Sequence, residues 1–429
     1  MEAKRDLSEW LHNHPEFAAP LERLVDELDR TREGSPLLDD MEDRLREAQR
    51  QVMPELLKAL VETRGREAET KVMQAAQTTR HRKKVLIHTT FGTLEIDEQT
   101  YWDRFHKCEI RPVSTVCALR SHAYSLRLRR VITDFAADTS FERASDKVKE
   151  HYDVVVPVSS CRAIALDHAS SIGRQLLPEP SAKVADTLIV EADGSMVPIV
   201  SIDETADGDH RKHRTLSWKE AKLSLVHCAG EKNTLVAATF DGPKSCGEQM
   251  YDLAESAGLG KATRIHAVGD GAPWIADQVD TLFGRQGHYL VDFFHVCEYL
   301  APVAAYSNEA SSDWLEIQKA RLRNNDWPAV LTEVERWFEP VGTADAPARD
   351  CHRYLNARSG QLDYKNAIAQ NLPIGSGEIE SANRSVVQFR LKRPGAWWKI
   401  NNAQSMLNLQ SLRHNGRWNF YWDNYRQAA

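Results

Sequence analysis

Thr187-Leu-Ile-Val-Glu-Ala-Asp-Gly-Ser-Met-Val-Pro-Ile-Val200 is an apolar stretch interrupted by one acidic step, Glu191-Ala-Asp193. A run of this length that is rich in Val and Ile predicts a strand buried on both faces. A carboxylate inside such a strand costs free energy unless its charge is offset, and a bound cation is a common functional offset. Asp193 is therefore a candidate metal ligand. The alternative is an aspartate that caps a turn at Gly194.

A second stretch, Arg264-Ile-His-Ala-Val-Gly-Asp-Gly-Ala-Pro-Trp274, repeats this organisation. Its short apolar strand ends at Asp270, and Pro273 stands where a helix accepts proline. Two neighbouring strands that end in carboxylates can present both to one divalent ion. A third acidic candidate follows a Gly-rich turn that opens a helix, in Pro373-Ile-Gly-Ser-Gly-Glu-Ile-Glu-Ser-Ala-Asn-Arg384.

Strand and helix patterns alternate from Thr187 onward. Short connections join the first three strands, which favours an antiparallel meander, and two more strands are reached through helices. The sequence therefore predicts an α/β unit with a mixed five-stranded sheet. Beyond the first strand, the expected strands are 221–227, 234–240, the strand ending at Asp270, and 288–291, with helices at 246–259 and 274–282.

Asp193, Asp270 and Glu380, with Asp292-Phe-Phe-His295 between the last two, resemble the signature of DDE transposases of bacterial insertion sequences. Within that group the chain resembles the Mutator-like branch and is most similar to the ISKra family. The resemblance covers roughly residues 85–420. It implies a ribonuclease-H-like mixed five-stranded core with an α-helical insertion, preceded by a helical region, a β-hairpin and a helix-turn-helix.

The resemblance also implies a chemistry. Asp193, Asp270 and Glu380 would be the catalytic residues and the ligands of two Mg²⁺ ions about 3.5–4 Å apart, with Mn²⁺ as a substitute. Activated water would cut one DNA strand at the end of the insertion sequence. The 3′-hydroxyl freed in this way would then attack target DNA in the same active site. Possible supporting residues are Glu378, Asp292, His295 and Asn383. For His295 the alternative is a core histidine bonded to a backbone carbonyl.

Glu378 and Glu380 are alternative candidates for the third carboxylate of the metal site. They lie two residues apart and cannot share a helical face. Glu380 has Asn383 one turn further along roughly the same side, and we assign it to the metal site. Glu378 falls in the opening turn, where its charge favours the amino end of the helix dipole.

Composition breaks and the resemblance together predict six segments. Within the first segment, Gly34-Ser-Pro36 separates two helices. The segments are a helical amino-terminal region (1–84), a β-hairpin around Gly92 plus a helix-turn-helix DNA-binding region (85–182), the first part of the catalytic core (183–295), a helical insertion (296–373), the Glu-bearing helix of the core (374–393) and a basic aromatic carboxyl-terminal tail (394–429).

A capped helix near residue 159 is the expected DNA-reading element. The sequence predicts helices after Ser125 and Ser140, then a turn, then a helix capped by Ser159-Ser160 that runs to about Leu176. In a helix-turn-helix its first turn would enter the major groove, whereas the alternative is an ordinary helical hairpin. The residues we expect to face DNA are Ser159, Ser160, Arg162, His168 and Arg174.

Positive charge accumulates near the carboxyl end, since 381–422 holds seven Arg or Lys and no acidic residue. Cations beside a carboxylate site are what a polyphosphate substrate requires, which indicates nucleic acid as the partner. The resemblance implies that this partner is double-stranded DNA, namely the terminal inverted repeats of the transposon and the target DNA. The alternative is a basic helix that docks on the acidic amino-terminal region. The expected phosphate contacts are Arg384, Arg390, Lys392, Arg393 and Lys399.

Composition limits the classes of protein to which this chain can belong. The chain has 429 residues and a net charge of −7, and it lacks an apolar run near the roughly 18 residues of a membrane span. We expect a bacterial cytoplasmic protein, nucleoid-associated when bound to DNA, that forms a homo-oligomer there. Its seven cysteines lack Cys-x-x-Cys spacing, which argues against disulfides and structural zinc.

Two other functions compete. A catalytically silent, sequence-specific DNA-binding protein on a transposase scaffold would share every DNA-binding feature. A glycosidase would use two carboxylates as acid and nucleophile or base, but it leaves the basic aromatic segment unexplained.

Overall fold

The computed structural model describes residues 7–74, 78–119, 124–203, 213–306 and 311–427, and the side chains of Gln74 and Arg174 fall outside this description. The chain forms two compact units. One comprises Met1–Asp167 with Trp422–Ala429, and the other comprises His168–Tyr421. Among the described residues, every helix is too short or too polar to cross a membrane.

The first unit begins with helices α1 (Leu7–Asn13), α2 (Ala18–Glu33) and α3 (Leu38–Gln74). The expected break between two long helices at Gly34 is therefore confirmed. The pair is antiparallel, because Arg23 in α2 pairs with Glu55 in α3 while Thr63, later in α3, bonds the earlier Glu16.

A three-stranded sheet follows, formed by β1 (Thr78–Thr89), β2 (Gly92–Asp103) and β3 (Cys108–Ile110) and followed by α4 (Pro112–Val116). The expected hairpin at Gly92 is confirmed by the pairing of Thr89 with Gly92. Strand β1 starts at Thr78, earlier than expected, so the basic residues of 80–84 belong to it and not to the helical region predicted for 1–84.

Three helices complete this part: α5 (Leu126–Asp138), α6 (Phe141–Tyr152) and α7 (Val158–Ser170). The predicted helix starts after Ser125 and Ser140 are confirmed, and both serines cap their helices by accepting hydrogen bonds from the backbone N–H groups three residues on. The boundaries of α7 differ from the prediction. It begins at Val158, so Ser159 and Ser160 lie inside its first turn, and it ends at Ser170 rather than near Leu176.

The second unit is built on a five-stranded mixed sheet. Its strands are β4 (Thr187–Ile202), β5 (Arg214–Cys228), β6 (Leu235–Thr239), β7 (Arg264–Gly269) and β8 (Gly287–Val291), in the order β6-β5-β4-β7-β8. The first three strands are antiparallel, and β7 and β8 run parallel to β4. The predicted number and directions of strands are confirmed.

Helices α8 (Pro243–Ala257) and α9 (Pro273–Phe283) cover one face of this sheet. Leu188, Val190 and Ala192 point to them from β4, because alternate side chains of a strand share a face. The intervening residues of β4, including Glu191 and Asp193, therefore point to the opposite face.

A helical insertion follows β8, as predicted. It comprises α10 (Phe293–Ala304), α11 (Ser311–Arg323), α12 (Trp327–Glu335), α13 (Pro347–Ala357) and α14 (Tyr364–Ala369). Its apolar faces form a core of their own around Trp314, Leu322 and Val330.

The chain then returns to the sheet with α15 (Gly377–Ala382), a π-helical turn (Asn383–Gln388), α16 (Phe389–Leu391), α17 (Ile400–His414) and α18 (Trp418–Gln427). We expected residues 394–429 to form a tail, but most of this segment is helical. Met406, Leu407 and Leu409 in α17 are fully buried, so the segment supplies part of the core.

Candidate active site

Four carboxylates lie on the sheet face opposite α8 and α9: Glu191, Asp193, Asp270 and Asp292. Glu191 pairs with Val268 of β7, which pairs with Leu290 of β8, and residues paired across a sheet share a face. Asp270 and Asp292 follow those two partners by two residues, at the carboxyl ends of their strands. The parallel register thus brings together acidic residues that are widely separated in the sequence.

The segment 373–383, which includes the Gly-rich turn and α15, crosses this face. Two bonds hold its beginning: the Nε2 atom of His266 donates to the Pro373 carbonyl (2.7 Å), and Phe293 N–H donates to the Ile374 carbonyl (2.8 Å). The donor role of His266 follows from its carbonyl partner, which can only accept.

Three strand carboxylates hold the rest of the segment. Asp292 Oδ2 accepts from Ser376 N–H (2.8 Å) and from the Ser376 hydroxyl (2.5 Å). Glu191 Oε2 accepts from Ile379 N–H (2.7 Å), and Asp193 Oδ2 accepts from Asn383 Nδ2 (2.7 Å). Each long-range bond joins a different strand position to the Glu-bearing helix.

Asp193 is half-buried beside the open end of β7. Its Oδ1 accepts from Gly194 N–H (2.7 Å), but β4 runs on to Ile202 without a turn, so the turn-cap alternative is wrong. Burial raises the pKa of Asp193 above its ordinary value, and the charges of Asp270 and Glu220 raise it further, against the opposing effect of Asn383. This is the electrostatic behaviour expected where a cation would be favoured.

The loop that carries Asp270 is fastened by the insertion. Tyr354 donates its hydroxyl to the Asp270 carbonyl (2.7 Å), and Arg358 donates from Nε and Nη2 to the Gly271 carbonyl (2.9 and 2.6 Å). Gly271 has φ of +85°, and a Cβ there would meet both side chains at 2.5 Å. Neither Tyr354 nor Arg358 stands in a local motif that sequence reasoning could have detected.

Glu191 is the site residue that the sequence motif did not include. Its side chain is 1% exposed, and among the described residues Oε1 has no hydrogen-bond partner. Burial raises the pKa of Glu191 to about 8, helped by the charges of Glu378, Asp292 and Glu380. Its spacing of two from Asp193, which puts both on one strand face, was the available signal.

Glu378 and Glu380 both lie in the first turn of α15 and are exposed. Glu380 Oε2 is 3.9 Å from an Arg384 nitrogen. In the part of the chain that the structure describes, no three His, Cys, Asp or Glu side chains converge on a single ion position. The four carboxylates on this face nevertheless offer oxygen ligands, and Mg²⁺ is usually held by one or two carboxylates together with water and substrate phosphates. The chemistry of the donor set therefore fits Mg²⁺.

Asp292 and His295 have separate surroundings. Asp292 is buried and caps α10, since its Oδ1 also accepts from Phe294 N–H (2.6 Å) and His295 N–H (3.2 Å). The His295 ring packs edge-on against Tyr299 and Tyr354, and its Nδ1 lies 3.2 Å from Glu298.

The residues that we expected to face DNA from α7 differ in their exposure. Ser159 and Arg162 are exposed and Ser160 is half-buried, whereas the Arg174 side chain lies outside the described residues. His168 is fully buried, with Nδ1 2.9 Å from the Tyr421 hydroxyl, so the prediction that it points outward is wrong. Its polar ring is accommodated by that hydroxyl from the end of the chain.

The cations near the carboxyl end that we expected to contact phosphate also differ in their exposure. Arg384, Lys392 and Lys399 are exposed and Arg393 is half-buried. Arg390 is only 2% exposed and lies over the Trp398 ring at 4.7 Å, so it is not the surface phosphate contact we predicted. Burial, with a contribution from Arg393, lowers the pKa of Arg390 to about 10.

Lys392 brings positive charge to the acidic face. Its Nζ donates to Ser195 Oγ (3.1 Å), and Ser195 is two residues beyond Asp193 on the same face of β4. A cation therefore lies on the same sheet face as the carboxylates.

The fold and this acidic face define a mixed α/β protein with a carboxylate site formed by the middle of β4 and the carboxyl ends of β7 and β8. The expectation that Asp193 ends its strand is wrong, because β4 continues to Ile202. Residues 30–420 match the model of a family described as "Uncharacterised protein family (UPF0236)", and the chain belongs to that family. It is similar to the "UPF0236 protein in vanSb 3'region" of Streptococcus gallolyticus, with 22% identity over 319 residues.

That alignment covers 70% of this chain and 66% of the relative, so the chain spans slightly less than two thirds of the relative's length. Among solved structures, the chain is similar to the Drosophila P element transposase strand transfer complex. The identity is 12%, the TM-score is 0.26, and the match covers 71% of this chain and 82% of the other.

Proposed function

We propose that this protein is a DDE transposase of an insertion sequence, in the Mutator-like branch and similar to the ISKra family. It would bind transposon-end DNA and catalyse metal-dependent strand cleavage and strand transfer. The observation that carries the proposal is the bond between Asn383 and Asp193, because it ties the Glu380 helix to the strand whose neighbour ends in Asp270.

The topology of the second unit supports this proposal. Three antiparallel strands followed by two parallel strands, in the order β6-β5-β4-β7-β8, is the arrangement expected of a ribonuclease-H-like core. The insertion between β8 and α15 also lies where the sequence resemblance requires it.

The residues that would hold Mg²⁺ or Mn²⁺ are Asp193, Asp270 and Glu380. Two bound ions supply activation of an attacking oxygen and stabilisation of a leaving oxygen in phosphoryl transfer. The chain itself orients Asp193 through Asn383 and Gly194, and it fixes the Asp270 loop through Tyr354.

DNA would be held by cations on two elements. Arg162 is exposed on α7, and Lys392 bonds Ser195, two residues beyond Asp193, where it would neutralise a phosphate of the reacting strand. The proposed substrates are double-stranded terminal repeats and target DNA, and the proposed active form on DNA is a homo-oligomer.

The test uses labelled DNA from the ends of the element that carries the gene. Asp193→Asn and Asp270→Asn should each lower the cleavage rate at least about a hundredfold in Mg²⁺, because a ligand charge is lost, while end binding changes less than about threefold. Asp241→Asn is the matched control, since Asp241 is an exposed carboxylate of the same unit.

Cleavage by both variants at more than a tenth of the wild-type rate would assign the reaction to other residues. Specific end binding without any cleavage by the wild-type protein would instead favour the catalytically silent DNA-binding protein.

A further inference from the structure

The start of α15 lacks the cap that a helix normally carries. Its N-cap residue is Ser376, whose side chain would ordinarily accept from a backbone N–H in the first turn. That hydroxyl instead donates to Asp292 (2.5 Å), and Ser376 makes no side-chain cap bond to the helix. The first-turn N–H groups therefore need another acceptor.

Glu191 supplies that acceptor from a different element. Its Oε2 accepts from Ile379 N–H (2.7 Å), and Ile379 is the third residue of the helix, where an N-cap side chain would bond. Glu191 is fixed in the middle of β4, between Leu225 of β5 and Val268 of β7. The bond therefore ties the first turn to the central strand of the sheet.

The other oxygen of Glu191 makes this arrangement costly. Oε1 is buried and, within the described residues, unpartnered, and an unsatisfied buried polar atom destabilises the folded state. An apolar side chain at this strand position would avoid the cost. The capping bond is the only described contact of Glu191 that offsets it.

We propose that Glu191 is a positioning residue that caps α15 from β4 and thereby fixes Glu378 and Glu380 relative to Asp193. Ile379 stands between the two glutamates, so holding its N–H sets the register of both. The proposal rests on the proposed transposase function, because the glutamates matter only if one of them serves the reaction.

Two variants at this position and one control elsewhere separate positioning from bulk stability. Glu191→Gln keeps a carbonyl oxygen that can accept from Ile379, whereas Glu191→Leu removes every acceptor. Ser224→Ala is the control, because Ser224 is a fully buried residue of β5 whose hydroxyl donates to the Cys246 carbonyl (3.1 Å) on the other face.

The first readout is amide hydrogen exchange in the full chain without metal or DNA. In Glu191→Leu the Ile379 amide should exchange about ten- to a hundredfold faster, because a buried N–H group loses its acceptor. Glu191→Gln should stay within about threefold of the wild type. Ser224→Ala should lower the melting temperature without a selective change at Ile379.

The second readout is cleavage of end DNA at saturating substrate. Glu191→Leu should lower kcat at least about tenfold with little change in Kd for DNA, and Glu191→Gln should restore most of kcat. Unchanged exchange at Ile379 in Glu191→Leu would overturn the proposal. An inactive Glu191→Gln protein with normal exchange would also overturn it, because the carboxylate would then act directly.

The two readouts keep this proposal separate from the transposase assignment. Hydrogen exchange tests the capping bond whether or not the protein cleaves DNA. If Asp193→Asn abolishes cleavage while Glu191→Leu retains full kcat, the positioning role fails and the transposase proposal stands.

Discussion

Asp193 and Glu191 are two carboxylates on one strand face with different surroundings. Asp193 is half-buried and accepts from two donors, whereas Glu191 is almost inaccessible and accepts from one. Both have raised pKa values because burial penalises their charged forms. The same residue chemistry therefore supports a ligand role at the half-buried position and a capping role at the buried one.

The choice between Glu378 and Glu380 can be made at the level of single residues. Glu380→Gln should abolish end cleavage with little change in melting temperature, since its exposed side chain has one distant ion pair. Glu378→Gln should retain cleavage and shift stability by about 0.3–1 kcal/mol through the helix dipole. Cleavage rates and thermal melts check both, and an active Glu380→Gln beside an inactive, folded Glu378→Gln would move the third ligand to position 378.

His266 predicts a pH dependence of stability. Burial lowers its pKa, with further lowering by Arg264 and His288, against a raising effect from its bond to the Pro373 carbonyl. The folded state thus keeps His266 neutral while the unfolded chain binds a proton below about pH 6.5. The stability that neutral His266 contributes to the folded state is fully present above pH 6.5 and is lost as the pH falls below that value.

His266→Gln should therefore flatten the decline of the unfolding free energy as the pH falls below about 6.5. The difference from the wild type is at most about 1.4 kcal/mol per pH unit, the linkage of one proton. Urea unfolding at several pH values measures it. Parallel wild-type and variant curves would show that His266 titrates normally in the folded state.

At the scale of elements, the change in helix type after α15 coincides with the site. The π-helical turn starts at Asn383, the residue that bonds Asp193. A π turn adds a residue to the helical repeat and often lies at functional sites. It lets Asn383 face β4 while the following residues Val386 and Val387 also reach the core.

Helix α7 and the carboxyl-terminal segment should divide DNA recognition. Arg162→Ala on α7 should reduce discrimination between end DNA and unrelated DNA, with a loss of about 1–3 kcal/mol. Lys392→Ala should weaken binding to both DNAs equally and reduce the salt slope by about 1, because it removes one phosphate contact.

Binding titrations at several salt concentrations measure both effects. Glu142→Ala is a control for surface changes, because Glu142 is exposed on the neighbouring helix α6. The reverse pattern, in which Lys392 sets sequence preference and Arg162 only affinity, would overturn this division.

At the scale of the whole molecule, helix α17 of the carboxyl-terminal segment belongs to the core of the second unit. Gln404 and Asn415 of this segment bond the backbone of β6 and its flanks, and Leu409 is fully buried. Leu409→Ala should therefore lower the unfolding free energy by about 2–5 kcal/mol, as core truncations do. The exposed Leu7→Ala should change it by less than about 0.5 kcal/mol. Equal effects in chemical unfolding would mean that α17 is peripheral.

Local sequence patterns determined the elements and the acidic positions. Val-rich runs specified the strands, serines capped α5 and α6, and Asp193, Asp270 and the Glu380 helix were identified in order along the chain. Such features depend on neighbours within a few residues, which is why periodicity and turn chemistry reveal them.

Tertiary structure alone decided which polar side chains are buried. His168 meets Tyr421 across 253 residues, and Glu191 meets Ile379 across 188. Arg390 likewise lies under Trp398, and this buries a cation that the charge pattern assigned to DNA. The fate of a charged or polar side chain depends on whether a distant partner satisfies it, and that partner leaves no trace in the local sequence.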